Sequence, residues 1–346
     1  MRMRVPVPWR QRRTVRLAVP LAAALALTAS GCAVSGSASI QPSSMKMTVG
    51  YTAIGAAYSD LYICEDAGVF KKNGLDVKIT LLNSSSQLVA ALVSNSVQIG
   101  VGATTATAAG AMNLKGVDLR YIALPIKRYY MEMWGRKSLS AGDDLKGRKI
   151  GLSSPGSLGD AAVDALIKKN GWSQDDLQKV YLKSTPAEVS ALENGAVDAI
   201  VTQPPTGTKT RQKGFKKVMD FTDLPTAANA YTVKTGYLSA NGKAVAAFTK
   251  SEAECLAMLH NDRDAAVRSI MKHSGVDNKA LAEYSYDFFD KLWAKDPRVD
   301  PALVHDAFAA TVAKGVGTMP KNTDEFIDNS YVDKLKDSGF IDSLYR

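Results

Sequence analysis

Segments with strand-like and helix-like patterns alternate along this chain, and the alternation starts a second time near residue 148. In the first round the apolar patterns predict strands at 47–51, 75–82, 97–101 and 119–124, and helices at 59–72, from 84 and at 105–114. In the second round they predict strands at 148–152, 180–182 and 197–201, and helices at 159–169 and from 185 to 195. Strands that alternate with helices form parallel β-α-β units. The sequence therefore predicts an α/β fold with two similar lobes.

The two rounds are also related in sequence. Residues 87–103 and 187–203 align at an offset of 100 positions, with the same residue at five of them. Ser85 then lies over Thr185, which begins a Thr185-Pro186-Ala187-Glu188 segment typical of a capping box with proline at the first helical position. A shared order of strand, capped helix and strand indicates a repeated unit.

The repeat ends near residue 231, and the rest of the chain is mostly helical in pattern. Residues 232–240 are predicted to form a returning strand. Helices are predicted at 242–260, 263–274, 279–293, 301–314 and 324–337. A helical extension of this kind is expected to pack on an existing lobe.

The N-terminus has the pattern of a bacterial export signal. Residues 2–16 contain six arginines and no acidic residue, and an apolar run covers 17–29. That run is shorter than the roughly 20 residues that cross a bilayer. The segment 29–32 resembles a lipobox, so we expect 1–31 to be cleaved and Cys32 to carry a lipid, with cleavage nearby and no lipid as the alternative. The Ser-rich segment 32–45 is then a flexible tether, and the general and twin-arginine export routes both stay open.

The formal net charge of +9 comes mostly from this signal, because its six arginines leave with it and the mature chain carries about +3. A charge of this size does not indicate binding to nucleic acid. No later segment is long and apolar enough to cross a membrane. We therefore expect a secreted monomer. The lipid on Cys32 is expected to hold it at the outer face of the cytoplasmic membrane.

The mature sequence lacks the patterns of common catalytic and cofactor sites. His260, His273 and His305 are scattered in the helical extension and do not form a zinc-binding motif, and neither a nucleophile elbow nor a P-loop occurs. Cys64 and Cys255 match no metal-site spacing. Export permits a disulfide between them, and free buried thiols are the alternative. We expect no enzymatic activity, no cofactor and no metal.

Hydroxyl side chains are concentrated where predicted strands end and helices begin. Ligands of doubly wound sheets bind there, because free N–H groups at helix N-termini favour an anion or a polar head group. Helix capping is the alternative role for these residues. Tyr51 and Tyr58 flank the first such loop as candidate pocket walls, with core packing as the alternative. The other candidate ligand-binding residues are Thr52, Ser84, Ser85, Ser86, Thr104, Thr105, Ser154, Ser157, Thr185 and Gln203.

Two segments carry a resemblance to a known family. Residues 65–77, EDAGVFKKNGLDV, and 144–151, DLKGRKIG, resemble the nitrate/sulfonate/taurine branch of ABC importer solute-binding proteins, which is similar to the thiamine-precursor-synthase-like domain. The resemblance implies a type II periplasmic-binding-protein fold, with two Rossmann-like lobes joined by a hinge at 125–135 and 222–235. It implies a first lobe of 46–127 plus 231–346 and a second lobe of 128–230.

The resemblance also implies a function. The protein would capture a small anionic or polar ligand between its lobes and deliver it to an ABC permease. Sulfonates, nitrate-like anions, small carboxylates and heterocycles all stay open as ligands. An extracellular sensor with a signalling partner is one alternative, and a synthase of the pyrimidine- or quinone-precursor type is another.

Overall fold

Two five-stranded sheets organise the computed structural model, which describes residues 45–82, 84–102 and 118–346. The predicted signal peptide, the tether up to residue 44 with Cys32, the helix at 105–114, Thr104 and Thr105 lie outside the described residues. The strands are β1 (Met45–Tyr51), β2 (Leu75–Leu81), β3 (Ile99–Val101), β4 (Leu119–Ala123), β5 (Glu132–Gly135), β6 (Lys149–Leu152), β7 (Gln178–Tyr181), β8 (Ala199–Thr202), β9 (Lys216–Asp220) and β10 (Tyr231–Lys234).

The two sheets share one topology. The first has the order β2-β1-β3-β10-β4 and the second the order β7-β6-β8-β5-β9. In each, the first three strands are parallel and the fourth is antiparallel to its neighbours. The antiparallel strand is the one that enters from the other sheet, so the chain exchanges a strand in each direction. This arrangement confirms the two-lobed α/β fold, and each lobe is named here after its sheet.

Thirteen α-helices surround the sheets in the described part of the chain. They are α1 (Ser59–Asp66), α2 (Val69–Lys72), α3 (Ser85–Val93), α4 (Leu158–Asn170), α5 (Thr185–Asn194), α6 (Thr206–Thr210), α7 (Thr235–Ala240), α8 (Gly242–Asn261), α9 (Arg263–His273), α10 (Lys279–Phe289), α11 (Pro301–Ala313), α12 (Ser330–Asp337) and α13 (Phe340–Ser343). None of them has the length and apolar character that a membrane-spanning helix needs.

The helical extension packs on the first lobe. Helix α8 lies against α1 and α2, and α9 lies against α1. Phe248 of α8 stacks on Phe70 with ring centroids 5.8 Å apart, and it contacts the Tyr231 ring of β10 at 5.2 Å. Cys64 of α1 and Cys255 of α8 form a disulfide with Cα atoms 5.4 Å apart, so the free-thiol alternative is wrong. Burial of these apolar side chains, together with the disulfide, holds the extension to the first sheet.

Two chain segments connect the sheets, and they pair with each other. Residues 124–131 run from β4 to β5, and residues 221–230 run from β9 back to β10. Tyr129 N donates to Leu224 O at 3.1 Å, and Thr226 N donates to Lys127 O at 3.0 Å. The predicted hinge segments, 125–135 and 222–235, contain most of these two connecting segments and also extend into β5 and β10. The predicted lobe boundaries stay predictions.

Three predicted elements are interrupted in the structure. The helix at 59–72 breaks at Gly68, whose left-handed φ of +66° turns the chain between α1 and α2. The strand at 232–240 ends at Lys234, which pairs with Leu119 at the start of β4, and after one more backbone bond from Thr235 N to Asp118 O at 2.8 Å the chain continues as α7. The helix at 324–337 shrinks to a 3-10 turn at Asp324–Phe326 and α12, because Ile327 pairs with the edge strand β4.

Two strands of the second sheet were not predicted. All four residues of β5 are buried, and the first of them is Glu132. Its carboxylate accepts a hydrogen bond from Trp134 Nε1 at 2.9 Å and lies 3.3 Å from Lys217 Nζ of β9. A buried charge of this kind needs such partners, and a short strand that begins with it has no apolar alternation to detect. Strand β9 is rich in lysine and lies at the sheet edge, where charge is common.

Candidate functional site

A cavity of about 750 Å³ lies between the two lobes, at the loops that follow the parallel strands of each sheet. Both lobes contribute small hydroxyl side chains to its wall. Nine of the twelve predicted ligand-binding residues line it. They are Thr52, Tyr58, Ser84, Ser85, Ser86, Ser154, Ser157, Thr185 and Gln203. The structure therefore brings residues from both halves of the sequence repeat into one cleft.

The first-lobe wall is formed by the loops after β1 and β2. Thr52 Oγ1 and the Tyr58 hydroxyl are hydrogen-bonded at 2.8 Å. Both atoms lie against Gly102, where an added Cβ would meet them at 2.7 and 2.9 Å, so only glycine fits that close approach. Ser84 caps α3 by accepting a hydrogen bond from Gln87 N at 3.2 Å.

The second-lobe wall is formed by the N-termini of α4 and α5. Ser157 caps α4 and accepts from Asp160 N at 3.3 Å. The cap of α5 is Ser184, which accepts from Ala187 N at 3.4 Å. The predicted capping box that begins at Thr185 is therefore wrong by one residue. Ser184 has the extended backbone that a cap requires, whereas Thr185 is already the first residue of the helix.

Tyr51 packs in the first lobe instead. Its ring lies 5.3 Å from the Tyr58 ring and 5.9 Å from the Tyr62 ring, measured between centroids. It does not occur among the residues that line the cavity in the described chain. The core-packing alternative thus describes the position of this tyrosine. Tyr58 does both, because it is buried against Tyr51 and also lines the cavity.

Two lysines line the cavity. Lys183 precedes the cap of α5, and Lys314 follows the last residue of α11. Lys314 Nζ lies 2.8 Å from the carboxylate of Asp160, which Lys179 contacts at 2.9 Å. Burial by itself would raise the pKa of Asp160, but these lysines and the backbone N–H of Gly156 lower it to about 2. Asp160 is thus a firmly ionised partner that holds Lys314 at the cleft.

Side-chain hydrogen bonds join the two lobes. Lys314, which follows a helix packed on the first lobe, pairs with Asp160 of α4. The Tyr284 hydroxyl of α10 donates to Glu132 Oε1 of β5 at 2.5 Å. Gln203 Nε2 donates to the carbonyl oxygen of Ile54 at 3.4 Å. The helical extension, which packs on the first lobe, therefore also contacts the second.

Sequence reasoning missed charged residues of this site, among them Lys183, Lys314 and Glu188. Lys314 comes from the helical extension, in which the sequence analysis identified no candidate ligand-binding residue. Glu188 was assigned to the capping box, but it is 2% exposed and lines the cavity. Burial raises the pKa of its carboxyl to about 8. Ser184, which directly precedes Thr185, was the signal available in the sequence. A helix cap at Ser184 instead of Thr185 leaves Glu188 without a capping role.

The described residues contain no group of histidine, cysteine or acidic side chains arranged to hold a metal ion. The cleft instead presents helix N-termini, hydroxyl groups, two lysines and one buried carboxyl. Donors of this kind bind small anions and polar groups through hydrogen bonds.

These features define a class of protein. Two α/β lobes of equal topology, a strand exchanged in each direction, and a polar cleft between them form a periplasmic-binding-protein fold with a helical extension. The sequence profile of the family described as NMT1/THI5 like matches residues 56–266. Since this is more than half of the chain, the protein belongs to that family.

Named relatives and solved structures agree with this assignment. A protein of Escherichia coli (strain K12), named as an aliphatic sulfonates-binding protein, is 27% identical over 143 residues, which are 41% of this chain and 44% of that protein. The periplasmic aliphatic sulphonate binding protein SsuA from Escherichia coli has a TM-score of 0.67 at 19% identity, over 81% of this chain and 96% of that one. The desulfurization enzyme DSZB has a TM-score of 0.64 at 16% identity, over 84% and 99%.

The coverage and the sequence identity of these matches determine what they show. The chain spans 44% and 61% of the length of the curated relatives that head the comparison. The structural likenesses lie below 25% identity and establish the fold, which binding proteins and an enzyme share. The fold alone therefore does not distinguish a binding protein from an enzyme.

Proposed function

We propose that this protein is the extracytoplasmic solute-binding component of an ABC importer. It captures a small anionic or polar organic ligand between its lobes and delivers it to the permease. The single observation that carries this proposal is the cleft of about 750 Å³, whose two walls both present capped helix N-termini. Lipid on Cys32 would hold the monomer at the outer face of the cytoplasmic membrane.

The cleft geometry explains how binding would be coupled to closure. The N-terminus of α3 belongs to the first lobe, and those of α4 and α5 belong to the second. An anion between them accepts hydrogen bonds from both lobes at once, which it can do only when the lobes are together. A ligand shifts a conformational equilibrium by its difference in affinity for the two states, and contacts shared between lobes supply that difference.

The ligand class follows from the same donors. Helix N-termini and Lys183 favour an anionic group, and the cavity volume fits a small organic molecule. The name of the Escherichia coli relative makes aliphatic sulfonates the leading candidates. Small carboxylates and nitrate-like anions present the same oxygen acceptors, so they belong in the same test.

A thermal-shift panel of alkanesulfonates, carboxylates, nitrate and heterocycles tests the proposal, with calorimetry on the hits. A ligand at 100 times its Kd adds about 2.7 kcal/mol to the free energy of unfolding. Ser154→Arg places a long side chain at the cleft wall and should abolish binding while leaving unfolding of the unliganded protein unchanged. Ser190→Arg is the matched control, because Ser190 is an exposed serine of α5 outside the cavity lining. Equal binding by the two variants would place the ligand elsewhere.

A further inference from the structure

The hydrogen bond between Tyr284 and Glu132 joins the lobes at a buried carboxylate. Glu132 is 0% exposed, and its Oε1 atom accepts from the Tyr284 hydroxyl of α10 at 2.5 Å. Trp134 Nε1 and Lys217 Nζ also contact this carboxylate, and both belong to the second lobe itself. Burial, and next the Glu132 carboxylate, raise the pKa of Tyr284, so its hydroxyl stays a donor. The first lobe thus donates a hydrogen bond to a charge that the second lobe has buried.

Helix α10 is fixed to the first lobe by other side chains. The Tyr286 hydroxyl donates to a backbone carbonyl oxygen of α8 at 2.9 Å. Asp287 pairs with Arg263 of α9 at 2.9 Å. The helix also packs against the 3-10 turn at Ala56–Tyr58 in the first lobe. Tyr284 therefore extends from a helix that the first lobe holds in place, and its hydroxyl reaches the second lobe.

The burial of Glu132 distinguishes this contact from the ion pair of Lys314. The Lys314 side chain is 37% exposed and lines the cavity, so solvent screens its pairing with Asp160 and a change there also changes the cavity wall. Neither Tyr284 nor Glu132 occurs among the cavity-lining residues of the described chain. Hydrogen bonds to charged groups are the stronger ones, so the Tyr284 hydroxyl can act on the arrangement of the lobes without touching the cavity.

We infer that Tyr284 is a positioning residue for ligand capture, because its hydroxyl holds the second lobe against the first before any ligand is present. The inference rests on the proposed function, in which the lobes separate and close. The apparent affinity of a ligand scales with the fraction of protein that is in the binding-competent state. Tyr284 thereby raises the affinity for every ligand that needs the closed cleft, although it lies outside the cavity wall.

The distance between two spin labels tests the inference without any ligand. Gln87→Cys on α3 and Ser190→Cys on α5 place the labels on exposed residues of the two lobes, outside the cavity lining. Both helices begin at the cleft, so separation of the lobes lengthens the distance between the labels. Cys64 and Cys255 are buried and joined to each other, so they do not take up label.

Tyr284→Phe removes the hydroxyl and keeps the ring. The ratio of long to short label distances should rise about tenfold over the wild type, because a hydrogen bond to a charged group is lost. Tyr286→Phe is the matched control, since it removes a hydroxyl of the same helix whose hydrogen bonds stay within the extension, and its distances should match those of the wild type. Unchanged distances in Tyr284→Phe, or an equal shift in both variants, would overturn the inference.

A double-mutant cycle separates this contact from a general loosening of α10. In a Glu132→Gln background, Tyr284→Phe should change the ratio by about threefold or less, because the acceptor is no longer charged. An undiminished tenfold effect there would overturn the inference, since the hydroxyl would then act through another group. The comparison of the two phenylalanine variants stands without this cycle. Because the labels are measured without ligand, they can refute the role of Tyr284 while the thermal-shift panel still supports the proposed function.

Discussion

The disulfide gives a stability prediction whose size follows from the chain that it closes. Cys64 of α1 and Cys255 of α8 are separated by 191 positions. Cross-linking a loop of that length removes entropy from the unfolded chain worth about 5 kcal/mol at 25 °C. Removal of native disulfides costs about 2–5 kcal/mol in practice. We therefore expect the free energy of unfolding to fall by an amount in that range when the bond is removed.

The perturbation must not add a second effect. Both cysteines are fully buried, so serine at either site would bury a hydroxyl and cost about 1–3 kcal/mol if unpaired. Cys64→Ala combined with Cys255→Ala removes the bond without adding a polar atom. Chemical reduction of the wild type is the complementary perturbation, because it leaves every side chain in place. The two should agree to within the small cost of the lost sulfur atoms.

Urea unfolding followed by tryptophan fluorescence is the assay. Trp293 lies in the core of the first lobe, which contains the disulfide, whereas Trp134 is buried in the second. The midpoint should fall, and the dependence on urea should steepen because the uncross-linked chain is less compact. The unfolding transition that Trp293 reports should occur at a lower urea concentration than the transition that Trp134 reports. A lower midpoint with an unchanged urea dependence would place the effect in native packing, and a loss below 0.5 kcal/mol would refute the loop-closure reasoning.

Two further predictions concern the ion pair at the cleft and the anchor. Asp160 has its pKa lowered to about 2, so its stabilising contribution is present above its unfolded pKa near 4 and is lost as the pH falls through about 2. In Lys314→Met this stabilising contribution should be lost at a higher pH. The substitution should lower the free energy of unfolding at pH 7 by only on the order of 1 kcal/mol, because Lys179 still pairs with Asp160. Acid unfolding curves that coincide with those of the wild type would contradict this prediction. Cys32→Ser should move the exported protein from the membrane fraction to the soluble fraction, and a variant that stays membrane-bound would show that the lipid on Cys32 is not the anchor.

Local periodicity made much of the fold predictable. The strands β1, β2, β3, β6, β7 and β8 are parallel, and in the described chain helices follow β1, β2, β6, β7 and β8, so their apolar residues and capping residues are visible in the sequence. The repeat at an offset of 100 residues predicted the common topology of the sheets. Prediction failed where tertiary contacts decide: β5 begins with a buried Glu132 whose partners come from β9 and α10, and no local pattern records them.

The site was predictable only in the parts that the fold family shares. Hydroxyl residues at strand ends follow from the topology of α/β sheets, and those of the second lobe meet those of the first because the strand exchange brings both edges together. Lys314 reaches the cleft from a helix whose position is set by packing on the first lobe. Pairing of Cys64 with Cys255 depends on the same packing. Glu188 was missed for a different reason. Ser184 and Thr185 are both candidate caps of α5, and a cap at Thr185 gives Glu188 a role in a capping box.

The helical extension has a second role that its packing alone does not suggest. It lies on the first lobe, yet Tyr284 and Lys314 extend from it to Glu132 and Asp160 of the second. Both acceptors are at most 2% exposed, so opening the cleft would leave each with one partner fewer while Lys217 and Lys179 remain beside them. These two lysines leave each buried carboxylate with a charged partner that does not come from the extension. Tyr284 and Lys314 are therefore contacts that the proposed closure would have to make and break.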